Sequence, residues 1–189
     1  MTAVKLFGAA LALVAPLATF AAGGHDSVGC TGCHSLHSAK GAVIFAVAPN
    51  TKMLNPATKQ PYAGSTALCL GCHADSDKGG QGYAPVSRHN SHPFGISSVN
   101  PKVAKVPASL LRDGGKFECL GCHDPHPSNP NKKYLRVDTG KNGEKMDAFC
   151  AVCHSTKSDA VSAQLAVFDS MDETRAPAAK APAAAPAKK

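Results

Sequence analysis

Cys119-Leu120-Gly121-Cys122-His123-Asp124-Pro125-His126 carries two thiols three positions apart, a histidine directly after the second, and another histidine three residues on. Working outward, the pattern recurs. Cys30-Thr31-Gly32-Cys33-His34, Cys69-Leu70-Gly71-Cys72-His73 and Cys150-Ala151-Val152-Cys153-His154 complete a set that uses all 8 cysteines. His37 follows His34 at the same offset as His126 follows His123, and the second and fourth motifs lack this extension. The chain therefore reads as two repeats, 22–78 and 85–156, each an extended motif followed by a plain one.

Two thiols at this spacing can add to the two vinyl groups of one haem, and the next histidine then ligates the iron from one face. A redox dithiol would not require a histidine after every pair. A zinc ribbon does not demand the adjacent histidine and is unusual in an exported chain. Four matches consuming every cysteine imply four covalently bound haem c groups. Cys30, Cys33, Cys69, Cys72, Cys119, Cys122, Cys150 and Cys153 are the attachment residues, and His34, His73, His123 and His154 the proximal ligands.

Five histidines remain: His25, His37, His89, His92 and His126. A histidine three residues beyond a proximal one lies on the same side of a helical turn, about 5–6 Å away. It cannot reach the opposite face of the same iron. His37 and His126 are thus expected to ligate a neighbouring haem and to stitch each di-haem unit into a close pair. His89 and His92 are the next candidates for distal ligands, and His25 reads equally as a ligand or a surface residue. Five histidines for four distal positions make methionine ligands unnecessary, so Met53 and Met146 are expected to be packing residues. Bis-histidine iron is low-spin and low in potential, with no open position for a substrate. The expectation is electron transfer, not an enzyme.

Composition agrees. There is no tryptophan, 5% of residues are aromatic, and there are 17 glycines and 14 prolines. Such a chain builds a poor apolar core alone. The fold class expected is mostly irregular coil with short α-helices around stacked haems, with little or no β-sheet, over a tetrahaem domain at 22–156. Gly79 to Pro107 reads as an irregular connector ordered by its histidines. Val43 to Val47 and Tyr134 to Val137 read as short extended pieces. Val161, Leu165, Phe168 and Met171 recur at helical spacing, so a helix over 157–175 is expected, covering the last haem. The Ala/Pro/Lys tail at 176–189 cannot bury a core and is expected to be disordered.

At the other end, Lys5, the apolar run Leu6 to Leu17 and Thr19-Phe20-Ala21 read as a signal peptide over 1–21 that is cleaved. The apolar run is shorter than the roughly 20 residues of a spanning helix and contains Pro16, so stable membrane insertion is not expected. Export to the periplasm, cell surface or exterior follows. The formal charge of +7 includes Lys5. Haem propionates would bring the mature chain to about +2 oxidised and about −2 reduced. The basic balance therefore does not argue for nucleic acid.

The run from Cys119 to His126, with Ser91-His92-Pro93-Phe94-Gly95 upstream, resembles the doubled-CxxCH family of multihaem c-type cytochromes. That resemblance implies distal roles for His126 and His92. His37 departs from it, because Ser35-Leu36 stands where the family has Asp-Pro. Four motifs and a surplus histidine also resemble the tetrahaem OmcE-type cytochromes. Those polymerise into extracellular filaments in which one subunit lends an axial histidine to the next. The resemblance implies a homopolymer with a trans-subunit axial ligand, His25 being the candidate, and extracellular acceptors or redox proteins as partners. A soluble periplasmic tetrahaem shuttle and a reductase with one open haem are the alternatives.

Overall fold

A computed structural model describes residues 23–88, 92–96, 99–112, 114–154 and 167–171. The expected leader, the tail at 176–189, His89 and most of the 157–175 helix lie outside them. Among the described residues there are short helices, turns and isolated bridges, and no strands. The α-helices are α1 (Gly29–Cys33), α2 (Gly64–His73), α3 (Cys119–Cys122) and α4 (Met146–Ala151). Each carries all or the first part of a cysteine motif. Single 3-10 turns, such as Gly24–Ser27 and Lys132–Tyr134, punctuate the coil between them.

The glycine inside two motifs has a packing reason. A Cβ on Gly71 would stand 2.6 Å from the Ala48 carbonyl oxygen, and one on Gly121 would stand 2.6 Å from that of Leu110. Helices α2 and α3 thus lie face-on against crossing backbone, which only a missing side chain permits. Helices α2 and α3 also join each other. Buried Glu118 accepts from the Thr66 amide at 3.0 Å and from the Thr66 hydroxyl, and the Cys119 amide approaches that hydroxyl at 3.4 Å.

Buried asparagines do the work that strand ladders do elsewhere. Asn50 donates to the carbonyls of Leu70 and Lys78 and accepts from the amides of Lys52 and Met53. Asn129, fully buried, donates to the carbonyls of Asp124 and Leu135 and accepts from the Asn131 amide. Interior backbone groups must be paired, and asparagine supplies both donor and acceptor without regular structure. The apolar core is small, centred on Tyr62, Leu70 and Ala74 with Met53, Val86 and Phe94 against it. Met53 packs as expected. Met146 does not, being 42% exposed at the start of α4.

Three expectations are corrected. Val43 and Ile44 adopt left-handed φ values of 51° and 53°, so Val43 to Val47 turns and does not extend. Lys133 and Tyr134 do the same at 56° each, leaving Leu135 with a single bridge to His123. Residues 167–171 are coil, not the end of a helix. Their backbone is bonded elsewhere. The Ser170 amide donates to Asp124 at 2.7 Å, and the Phe168 amide and carbonyl both bind Arg136. This segment lies against the third motif, with Met171 buried.

Asp169 anchors it. Both its oxygens accept from Arg112 at 3.0 Å, and one accepts from Arg136 at 2.6 Å, the two arginine side chains being fully buried. Removing one partner from such a cluster leaves buried charge uncompensated, at a cost of about 3–5 kcal/mol. Asp169→Ala is therefore expected to destabilise the protein by that order and to free the segment. Limited proteolysis should show new early cleavage within 155–175 while the motif-bearing body stays resistant.

Candidate haem-attachment site

Each motif is closed by one local bond. The proximal histidine amide donates to the carbonyl of the first cysteine, at 2.8 Å for His34, 3.0 Å for His123 and 3.0 Å for His154. That single turn sets both thiols and the imidazole toward one side. The chain then leaves extended, with His34 at φ −116°, ψ 140° and His123 at φ −117°, ψ 140°.

A second element locks each histidine. The carbonyl of the second cysteine accepts an amide from a returning segment: Cys33 from Ala46, Cys72 from Tyr83, Cys122 from Arg136 and Cys153 from Lys105. The same segments place a carbonyl on the proximal Nδ1. His34 donates to Val43 at 3.0 Å, His73 to Tyr83 at 2.7 Å, His123 to Lys133 at 2.9 Å and His154 to Val103 at 3.0 Å. Nδ1–H in such a bond leaves the Nε2 lone pair for a metal. The left-handed residues Val43 and Lys133 supply two of these acceptors, which explains backbone strain at exposed turns. The first three return segments lie downstream of their motifs, and the fourth lies upstream. Sequence reasoning missed this clamp; its trace is a spacing of nine or ten residues from histidine to acceptor at the first three motifs, with 51 at the fourth.

Distal rings come from far along the chain. His126 stands opposite His34 with centroids 6.4 Å apart and planes 7° from parallel. His92 stands opposite His154 at 6.3 Å and 75°. Two imidazoles bound to one metal through bonds of about 2.0 Å have centres about 6.3 Å apart. His25 meets His73 with centroids 5.6 Å apart and Nε2 atoms 3.4 Å apart, so a small ring rotation opens that gap to the same span. Burial and the adjacent His73 hold His25 below the usual imidazole pKa, in the neutral form that ligates.

His25 is thus folded inward, where the sequence left it equally a ligand or a surface residue. Its ring stacks on Tyr134 at 5.1 Å and 17°. The Tyr134 hydroxyl accepts from the Asp26 amide and donates to the Asp26 carboxylate, both at 2.8 Å. His126 likewise does not serve its own repeat; it faces a motif of the other one. Among the described residues no ring faces His123, and His37 is exposed without a ring contact. His89 lies outside the described residues.

The thiols approach in series. Cys72 lies near Cys33, Cys69 donates to Cys119, and Cys122 lies near Cys153. Burial pushes Cys33, Cys72 and Cys153 upward and takes Cys122 up to about 12. Reactive dithiols need the opposite shift, which Cys119 shows because of the bond it accepts from Cys69. An apolar cavity of about 610 Å³, lined by Met53, Tyr62, Val86, His92, Phe94 and Ile96 among others, adjoins the fourth motif's distal ring. Paired thiols, opposed imidazoles and a bowl of this size fit covalently held haem.

Two variants test the pairing. His126→Ala is expected to turn one haem high-spin, and that signal should vanish when Cys30 and Cys33 are also replaced by alanine. Tyr134→Ala should release His25 and give a high-spin fraction at the second motif, whereas Tyr134→Phe, keeping the stack, should remain largely low-spin. Optical and paramagnetic resonance spectra of the oxidised protein read both.

Comparison with known proteins adds one finding. Residues 112–159, which hold the third and fourth motifs, match the family model described as doubled CXXCH motif. No curated protein and no solved structure matches the chain. The motifs indicate covalently bound haem c, and the match supports a multihaem c-type cytochrome family.

Proposed function

We propose that this chain is an exported electron carrier holding four bis-histidine haem c groups, and that it polymerises into an extracellular conducting filament. The observation that carries the electron-transfer reading is the opposition of imidazoles from distant segments, 6.3–6.4 Å apart at the first and fourth motifs. Haem supplies a one-electron couple at each motif. At three motifs imidazoles of this chain stand on both axial sides, which supports a carrier over an enzyme. The thiol series from Cys33 and Cys72 through Cys69 and Cys119 to Cys122 and Cys153 supports a path in motif order. Neighbouring attachment edges would pass electrons from the first motif to the fourth. Export is supported by the c-type motifs. No helix among the described residues is long and apolar enough to cross a membrane.

Polymerisation is supported by the histidine arithmetic. Three distal rings face a proximal histidine in cis, His25 among them, and exposed His37 is the donor we propose in trans. Exposed His37 of one copy would cap the His123 position of the next. A soluble shuttle would instead close that position in cis, and a reductase would leave it open.

Three measurements on the mature protein separate these readings. Mass spectrometry should show four haem additions. Negative-stain microscopy should show fibres, with an oxidised spectrum that is entirely low-spin. His37→Ala should abolish the fibres and expose one high-spin haem. Monomers that are fully low-spin would favour the shuttle, and wild-type monomers with one high-spin haem would favour the reductase.

A further inference from the structure

Five ring nitrogens in the site donate to backbone carbonyls: Nδ1 of His34, His73, His123 and His154 as above, and that of His92 to the Pro93 carbonyl at 3.1 Å. His126 differs. Its Nδ1 lies 2.9 Å from Oδ1 of Asp124, a carboxylate with no exposed side-chain surface, and 2.9 Å from the Ser170 hydroxyl. Asp124 is itself fixed. It accepts the Ser170 amide at 2.7 Å, the Ser170 hydroxyl at 2.7 and 2.9 Å, and the His126 amide at 3.3 Å. Ser170 is placed by its neighbour Asp169, gripped by the two buried arginines. A segment 44 residues from His126 thus completes the surroundings of one axial imidazole and of no other ring with a described partner.

A carboxylate is a stronger acceptor for imidazole N–H than a carbonyl, and the bond raises the basicity of the opposite nitrogen. More electron density at Nε2 stabilises ferric over ferrous iron. We infer that Asp124, steadied by Ser170, is a positioning residue that lowers the potential of the haem at the first motif below what carbonyl-bonded histidines would give. This rests on the haem reading above, and goes beyond it by assigning a potential-setting role to residues that touch no haem. Ser170 acts in the opposite sense, because its hydroxyl draws on the same carboxylate charge. The C-terminal segment thereby moderates a redox site in the opposite repeat.

The test is a redox titration of the holoprotein followed by paramagnetic resonance. The first-motif signal is identified by its loss in Cys30→Ala/Cys33→Ala. In Asp124→Asn that signal should stay low-spin and shift to higher potential while the other haems hold theirs. Ser170→Ala should shift it to lower potential. An unshifted Asp124→Asn haem overturns the inference, as does an upward shift in both variants, the mark of general loosening. If Asp124→Asn does not accumulate as holoprotein, Ser170→Ala decides alone: a downward shift supports the inference, and none or an upward one overturns it. A wild-type chain without haem would instead sink the functional reading, a separate result.

Discussion

A haem tethered by the two cysteines of a motif and held by its histidine would need a second imidazole from beyond the local turn, whose histidine side is already used. The second imidazole must arrive from elsewhere in the chain. The opposed rings of this structure suit that requirement. His126 travels to His34, His25 to His73 and His92 to His154. Clips of this kind close long loops, for which the entropic cost grows only slowly with length. Of the three, the pairing of His126 with His34 joins the two sequence repeats, and the other two each close a loop within one repeat.

The clamps on the proximal histidines suit the absence of strands among the described residues. Each return segment must deliver one amide to a cysteine carbonyl and one carbonyl to an imidazole within a few residues. A left-handed turn does this; a regular strand, whose groups alternate sides, does not. Val43, Ile44, Lys133 and Tyr134 accept an unfavourable φ in exchange. Polar groups left over by so much coil are gathered by buried asparagines and, in the interior, by Arg112 and Arg136.

How much of this could be read from the sequence divides along the range of the interaction. The cysteine motifs and proximal histidines are local patterns, legible because spacing alone dictates one helical turn. The coil-rich fold is legible from composition, since Gly, Pro and scarce aromatics leave little else to build. Partnership between rings was not, because a histidine's offset from its own motif says which iron it cannot reach but not which it does. His126 was assigned to its own repeat on that incomplete argument. The C-terminal periodicity misled for a related reason: Met171 is indeed buried, but Asp169 and Ser170 find partners whose bonds outweigh helix propensity. Strand propensity failed at Val43 and Ile44 for want of any local sign that a distant imidazole needs the carbonyl there.

The upstream position of the fourth return segment has a consequence for the order of assembly. In a chain delivered N-terminus first, the first three motifs each emerge before the segment that will clamp them, and must wait for it. The last motif emerges after Val103 and Lys105 are already in place, onto a prepared template. Meanwhile the first motif, earliest to appear, stays incomplete until His126 arrives. The oldest site is finished late, and the newest is finished at once.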